Sequence, residues 1–280
     1  MAIYKGNKKV VAVYKGSTPI NKIYKGATLV FQKGGGGGST HLFEGTATGN
    51  FNFIINSNSI PITPDADGKW FYDTDEQITN LDDSFFNVTA VTSVDLSNLD
   101  LTGIPATSMF NKCSNITSIK FNNTKSMKLA SVQNMFSNCS KLVSLDLSSF
   151  DTSNLTNAAA MFSGCSRLTS LNLSSFDTSK LTTTGQMFSN CSKLVSLDLS
   201  SFDTSKLTTT AAMFSFCRSL VSLDLSNFDM SKVTSYSNMF QYCTKLSTIK
   251  CKQSFKDWCV SNKSAIGLTN YSKINWEIVG

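Results

Sequence analysis

Residues 187–210 read MFSNCSKLVSLDLSSFDTSKLTTT, and residues 135–156 read MFSNCSKLVSLDLSSFDTSNLT. The pair Met-Phe returns at 109, 135, 161, 187, 213 and 239, a step of 26 residues without insertion. A cysteine follows each Met by four positions: Cys113, Cys139, Cys165, Cys191, Cys217 and Cys243. A fixed step of this length predicts a solenoid with one supersecondary unit per repeat.

The repeats align themselves. In the third copy the constant apolar positions are Met161, Phe162, Cys165, Leu168, Leu171, Leu173, Phe176 and Leu181. The alternation in L-x-x-L-x-L predicts a short strand over Ser170–Ser174 with two leucines inward. The spacing from Leu-Thr through Met-Phe-x-x-Cys is nearer to a helical period and predicts one or two helical turns. Seven strands stacked at ~4.8 Å make a rod about 30 Å long.

Upstream of the regular copies, FFNVTAVTSVDLSNLDL is an atypical first repeat with no cysteine, 25 rather than 26 residues before the next. Terminal repeats face solvent on one side and are expected to differ. Residues 41–83 read as a β cap: FNFIINSNSI alternates, DADG supplies a turn and KWFYD returns as a strand. Residues 34–40, GGGGGST, form a flexible tether. Before it, IYKGNKKVVA, VYKGSTPINK and IYKGATLVFQ place Tyr4, Tyr14 and Tyr24 ten residues apart. These read as three short strands in a small attachment module, residues 1–33, which docks on another protein or on copies of itself. The solenoid spans 84–250, and 251–280 close its C-terminal end.

Composition narrows the function. Hydrophobic content of 41% supports a real core, and no run of ~20 apolar residues predicts membrane insertion. Seven of the 25 basic residues lie in residues 1–33, so the net charge of +6 belongs to that module and predicts no nucleic-acid partner. Six of the eight cysteines share one repeat position and no C-x-x-C pair occurs, which predicts packed, reduced thiols without metal or cofactor. Cys259 falls outside that pattern. The only histidine, His41, has no nucleophile motif nearby, so an enzyme is not expected. The N-terminus MAIYKGNKKVVAVYKG lacks the apolar stretch of a secretory signal, so the chain as written is expected in the cytosol.

MFSGCSRLTSLNLSSFDTSKLT, residues 161–182, resembles the BspA-like leucine-rich-repeat surface proteins of bacteria, as does TIKCKQSFKDWCVSN with the ending NWEIVG. The resemblance runs from about Asp73 to Gly280. It implies an α/β, leucine-rich-repeat-like right-handed solenoid, curved, with its parallel sheet on the concave side. It also implies adhesion to cells or matrix without enzymatic activity. Phe150, Phe176, Phe202 and Phe228 stand where such repeats usually have Asn, so the usual Asn ladder is missing. The YKG repeats with their glycine tether are similar to the start of tail-associated proteins of phages and prophages. That similarity implies a virion protein made in the bacterial cytoplasm, attached to a tail protein through residues 1–33. A bacterial cell-surface adhesin and a purely structural virion decoration are the alternatives.

Two surfaces are candidates for a host-cell protein or glycan. One is the outward row Asp146, Asn172, Asp198 and Asp224, flanked by serine columns that also suit a merely soluble sheet. The other lies where the repeats vary, with Phe216, Arg218, Tyr236 and Tyr242, residue types that anchor interfaces. A C-terminal segment folded over these aromatics would equally account for them. The row Asp151, Asp177, Asp203 and Asp229 reads as turn-fixing, with Lys180, Lys206 and Lys232 a solvated face beside it.

Overall fold

The structure, a computed structural model, describes residues 42–74, 76–122 and 127–280, together with the backbone of four short strands between residues 14 and 32. Those four are β1 (Tyr14–Lys15) paired antiparallel with β2 (Thr18–Pro19), and β3 (Lys22–Lys25) paired with β4 (Thr28–Gln32). Tyr14 and Tyr24 lie on β1 and β3; Tyr4, the tether and His41 lie outside the described residues.

The repeats form a solenoid whose axis is marked by aromatic rings. Phe53, Phe85, Phe110, Phe136, Phe162, Phe188, Phe214 and Phe240 stack in one column, centroids 5.2–5.9 Å apart and planes within 12° of parallel. All eight are buried. Beside them runs the cysteine column. Cys139 Sγ donates to the Phe110 carbonyl in the preceding coil at 3.1 Å, and Cys165, Cys191, Cys217 and Cys243 repeat the bond to Phe136, Phe162, Phe188 and Phe214. Each of these carbonyls also accepts from a backbone N–H in its own turn, as Phe136 O does from Cys139 N. All eight cysteines are free thiols and buried, and burial pushes the Cys165 thiol up to about 12. Cys259 packs on the inner side of α1 (Gln253–Asn262) beside Phe255.

The helical turns expected around Met-Phe-x-x-Cys do not form. Residues there bond three positions back, Met135 N to Val132 O and Ser137 N to Asn134 O, rather than four. A left-handed residue recurs every fourth position: Asn134 and Asn138, Ala160 and Gly164, Gln186 and Asn190, Ala212 and Phe216. The N–H groups between these bonds point to the next coil. Asn134 donates to Ala159 O, Phe136 to Met161 O and Asn138 to Ser163 O, and the same set repeats in the following coils. Half the backbone donors thus close turns and half join coils, which satisfies the buried peptide groups without a helix.

On another side of each coil the strands pair in parallel. β9 (Val91–Asp95) pairs with β10 (Ser118–Lys120) at a step of 25, Ser93 opposite Ser118, as the atypical first repeat requires. Next come β11 (Met127–Lys128) and β12 (Phe150–Asp151), paired at the following corner. At the far end β13 (Ser196–Asp198), β14 (Ser222–Leu225), β15 (Thr248–Lys252) and β16 (Asn275–Val279) form one sheet. Residues 170–174, expected as a strand, carry none; Leu145 and Leu171 are half-buried, and Thr169 N reaches Val143 O at 3.4 Å. Both longer sheets hold a cross-strand ion pair, Lys120–Asp95 at 3.1 Å and Lys250–Asp224 at 2.8 Å. The middle coils have Asp146 and Asn172 in that row and no lysine there.

The N-terminal cap contains β5 (Phe43–Ala47), β6 (Phe51–Ile55), β7 (Asn58–Ile62) and β8 (Lys69–Tyr72). FNFIINSNSI, read as one run, is a hairpin: Asn56 and Ser57 both have positive φ, the two-residue turn that matches strand twist. DADG is the second turn, held by Asp65 Oδ1 accepting from Asp67 and Lys69 N–H. β5 continues the sheet beyond β9, and Ile54 N and Asn56 N of the hairpin donate to Ser84 O and Asn80 O of the first coil. At the other end the carbonyls of Ala265 and Ile266 receive the N–H groups of Asn238 and Phe240.

In place of the missing Asn ladder stands threonine. Thr152, Thr178 and Thr204 are buried, and their hydroxyls accept from the N–H of Asp177, Asp203 and Asp229 one coil on, at 2.6–2.7 Å.

Candidate binding surfaces

The outward row of the sheet is tied to its own backbone. Asp146 and Asp198 accept from the N–H of Ser148 and Ser200 at 2.9 Å, and Asn172 from Ser174 at 3.0 Å. Asp224 accepts from Ser226 N at 3.0 Å, and Lys250 binds its other oxygen. Burial would raise the Asp224 carboxyl, but the hydrogen bonds from Lys250 and Ser226 together outweigh it and hold the group below the usual carboxylate range. The register places Asp198, Asp224, Lys250 and Glu277 side by side across four strands. With Ser196 and Ser222 they line a shallow depression of about 250 Å³. Asp146 and Asn172 are exposed at the same repeat position, and each braces a turn as the sheet residues do.

The second acidic row does the same at the next corner: Asp151, Asp177, Asp203 and Asp229 accept from the N–H of Ser153, Ser179, Ser205 and Ser231. Hydrogen bonds from these serines hold all four carboxyls below their ordinary value.

The four aromatic and cationic candidates separate into two groups. Tyr236 belongs to the C-terminal cap: its ring meets Trp258 of α1 edge-on at 5.1 Å and its hydroxyl donates to Asn262 Oδ1. Phe216 and Tyr242 are not covered by that cap helix. Their rings lie 4.6 Å apart on the surface, Tyr242 is 49% exposed, and Arg218 sits over the Phe216 ring at 5.4 Å. Both residues are left-handed, Phe216 at φ 61° and Tyr242 at φ 60°. Earlier coils place Asn87, Lys112, Asn138, Gly164 and Asn190 in this slot. Asn and Gly tolerate such backbone; a bulky ring does so at a cost of order 1 kcal/mol or more.

Sequence reasoning missed what adjoins this pair. Along the same edge Lys141, Arg167, Lys193 and Lys245 are exposed one position before an inward leucine, and Val143, Val195 and Val221 one position after it. The repeat alignment held that signal, since these columns fall at fixed offsets from each cysteine. Among the described residues no group of three His, Cys, Asp or Glu side chains is placed to hold a metal, and no helix is long and apolar enough to cross a membrane.

The chain matches the family described as "Mycoplasma protein of unknown function, DUF285" over residues 79–193, 104–219 and 171–272. No curated protein and no solved structure matches it. The matched segments together cover more than half of the 280 residues, and the chain belongs to this family. Family and solenoid both fit a BspA-like repeat protein.

Proposed function

We propose that this member of the family is a non-enzymatic recognition protein, held on a virion tail by residues 1–33 and presenting its solenoid to a host-cell or mucosal ligand. The supporting observation is the aromatic pair on left-handed backbone. Phe216 and Tyr242 stand in a slot that Asn and Gly fill at lower cost, Phe216 half-buried against Tyr242 and Arg218, and Tyr242 exposed. Aromatic and arginine side chains grouped in this way are the usual anchors of binding.

The test is a double substitution, Phe216→Asn with Tyr242→Asn, in the full chain. Asn already fills the slot at 87, 138 and 190, so the variant is expected to melt at least a degree higher than the parent. Its binding to whole cells is expected to fall at least tenfold. Unchanged binding sinks the reading, and a parent that binds no cells leaves only a structural decoration. Attachment to a virion is supported by the YKG repeats and their glycine tether. Peptide mass spectrometry on density-banded particles tests it: recovery in the particle band is expected, and recovery only with cell envelopes favours a bacterial surface adhesin.

A further inference from the structure

The edge that carries Phe216 and Tyr242 is rich in cations up to the acidic row Asp146, Asp198 and Asp224, which begins one residue beyond it. The nine-residue stretches 137–145, 163–171, 189–197, 215–223 and 241–249 build it, one per coil. They contain Lys141, Arg167, Lys193, Arg218 and Lys245 and no acidic residue. All five cations are exposed, and among the described residues none pairs with a carboxylate. The corner with Asp177, Asp203 and Asp229 differs: Lys180, Lys206 and Lys232 there follow an aspartate by three residues. Successive coils lie ~4.8 Å apart, so Lys141, Arg167, Lys193 and Lys245 mark a line of roughly 20 Å parallel to the axis, with Arg218 one position off it. These like charges repel one another; Arg218 rests over the Phe216 ring, and none of the other four meets a carboxylate among the described residues.

What lies along the line defines the partner. Val143, Val195 and Val221 are 39–49% exposed, with Thr169 in the same column. Ser144, Ser170 and Ser196 form an exposed hydroxyl column next to them. The line ends at the open face of Tyr242. We infer that this edge binds a linear polyanionic glycan lying along the solenoid axis. Its acidic groups meet the cations and its C–H faces meet the valines and Tyr242, on the side of the edge away from the acidic row. A nucleic acid fits less well, because base stacking would require an aromatic ring in each coil and only two coils supply one. This inference rests on the recognition role proposed above.

The test uses the full chain with dextran sulfate as probe and neutral dextran as control. Binding to the sulfated polymer alone is expected, weakening as salt rises. Replacing Lys141, Arg167, Lys193 and Lys245 by Gln is expected to reduce affinity at least tenfold and lower the slope of log affinity against log salt by about 3. Replacing Lys180, Lys206 and Lys232 by Gln, or Lys5, Lys8, Lys9 and Lys15 by Gln, is expected to leave binding nearly unchanged. Circular dichroism of each variant establishes that the fold is kept. Loss spread equally over the three sets would overturn the inference, as would tighter binding to single-stranded DNA of equal charge. Cell binding that survives the edge substitutions would overturn it while leaving the recognition role standing.

Discussion

Two sides of the same coil hold together in different ways. On the Met-Phe-x-x-Cys side every regular coil repeats one set of bonds, with ring on ring, thiol to carbonyl and N–H to the next coil. On the strand side the pattern lapses in the middle, where Leu145 and Leu171 are half-buried and residues 144–147 and 170–173 form no strand. In this chain the turns, not the sheet, run unbroken from end to end. Identical leucines do not guarantee identical strands, whereas a buried ring and thiol tolerate little variation.

The difference sets an order of expected effects. Phe162→Ala removes one ring from the column and should cost roughly 3–5 kcal/mol, read from urea unfolding of the full chain. Leu171→Ala on the other side should cost no more than about 2 kcal/mol. Equal losses would erase the distinction.

Alkali should attack the turn side next. Burial raises the folded thiols, Cys113, Cys165 and Cys243 to about 12. The unfolded thiol ionises near pH ~8.5, so this contribution is complete below that value and is lost as pH rises toward 12. Each thiol withdraws up to about 1.4 kcal/mol per pH unit in that window. Melting curves from pH 8 to 11 should fall steeply, and less steeply in a Cys165→Ala variant. At neutral pH that variant should lose about 1–2 kcal/mol, the hydrogen bond to Phe136 O and a small void. Loss below a few tenths would make the thiol column incidental.

The smallest effect belongs to the strand side. Asp224→Asn weakens the pair with Lys250 and should cost less than about 1 kcal/mol. Because the folded Asp224 carboxyl is held low, its contribution is present above the ordinary carboxylate value and is lost as pH falls through the lowered one. Acid titration of the two proteins should converge there.

The step, the inward columns and the shortened first repeat were all legible in the sequence, because side chains that pack in register must recur in register. The turn backbone was not. Met161, Phe162 and Cys165 have spacings that a helix and this turn share, and Ala160 or Ala212 gives no hint of a left-handed conformation. Alternation carried straight through Asn56 and Ser57 and concealed the hairpin. Thr152, Thr178 and Thr204 look like surface threonines until the Asp N–H of the next coil is seen bonded to them. As for the site, Tyr236 and Tyr242 are six residues apart, yet one is claimed by α1 and the other left on the surface. Only the path of a later segment decides that.

Along Met-Phe-x-x-Cys the backbone N–H bonds between coils run one way, opposite to the thiol bonds: Phe136 gives to Met161, Phe162 to Met187, Phe188 to Met213. The rod therefore has a direction, like an arrow. Its tail end offers carbonyls, which the cap hairpin meets with Ile54 and Asn56 N–H; its tip offers N–H groups, which Ala265 and Ile266 carbonyls meet. The two ends are complementary to each other as well as to their caps. A rod stripped of both caps would carry its own partner on its opposite end, and copies would join tip to tail into a filament that never closes. The caps meet the bonds that the two ends of the rod would otherwise leave open.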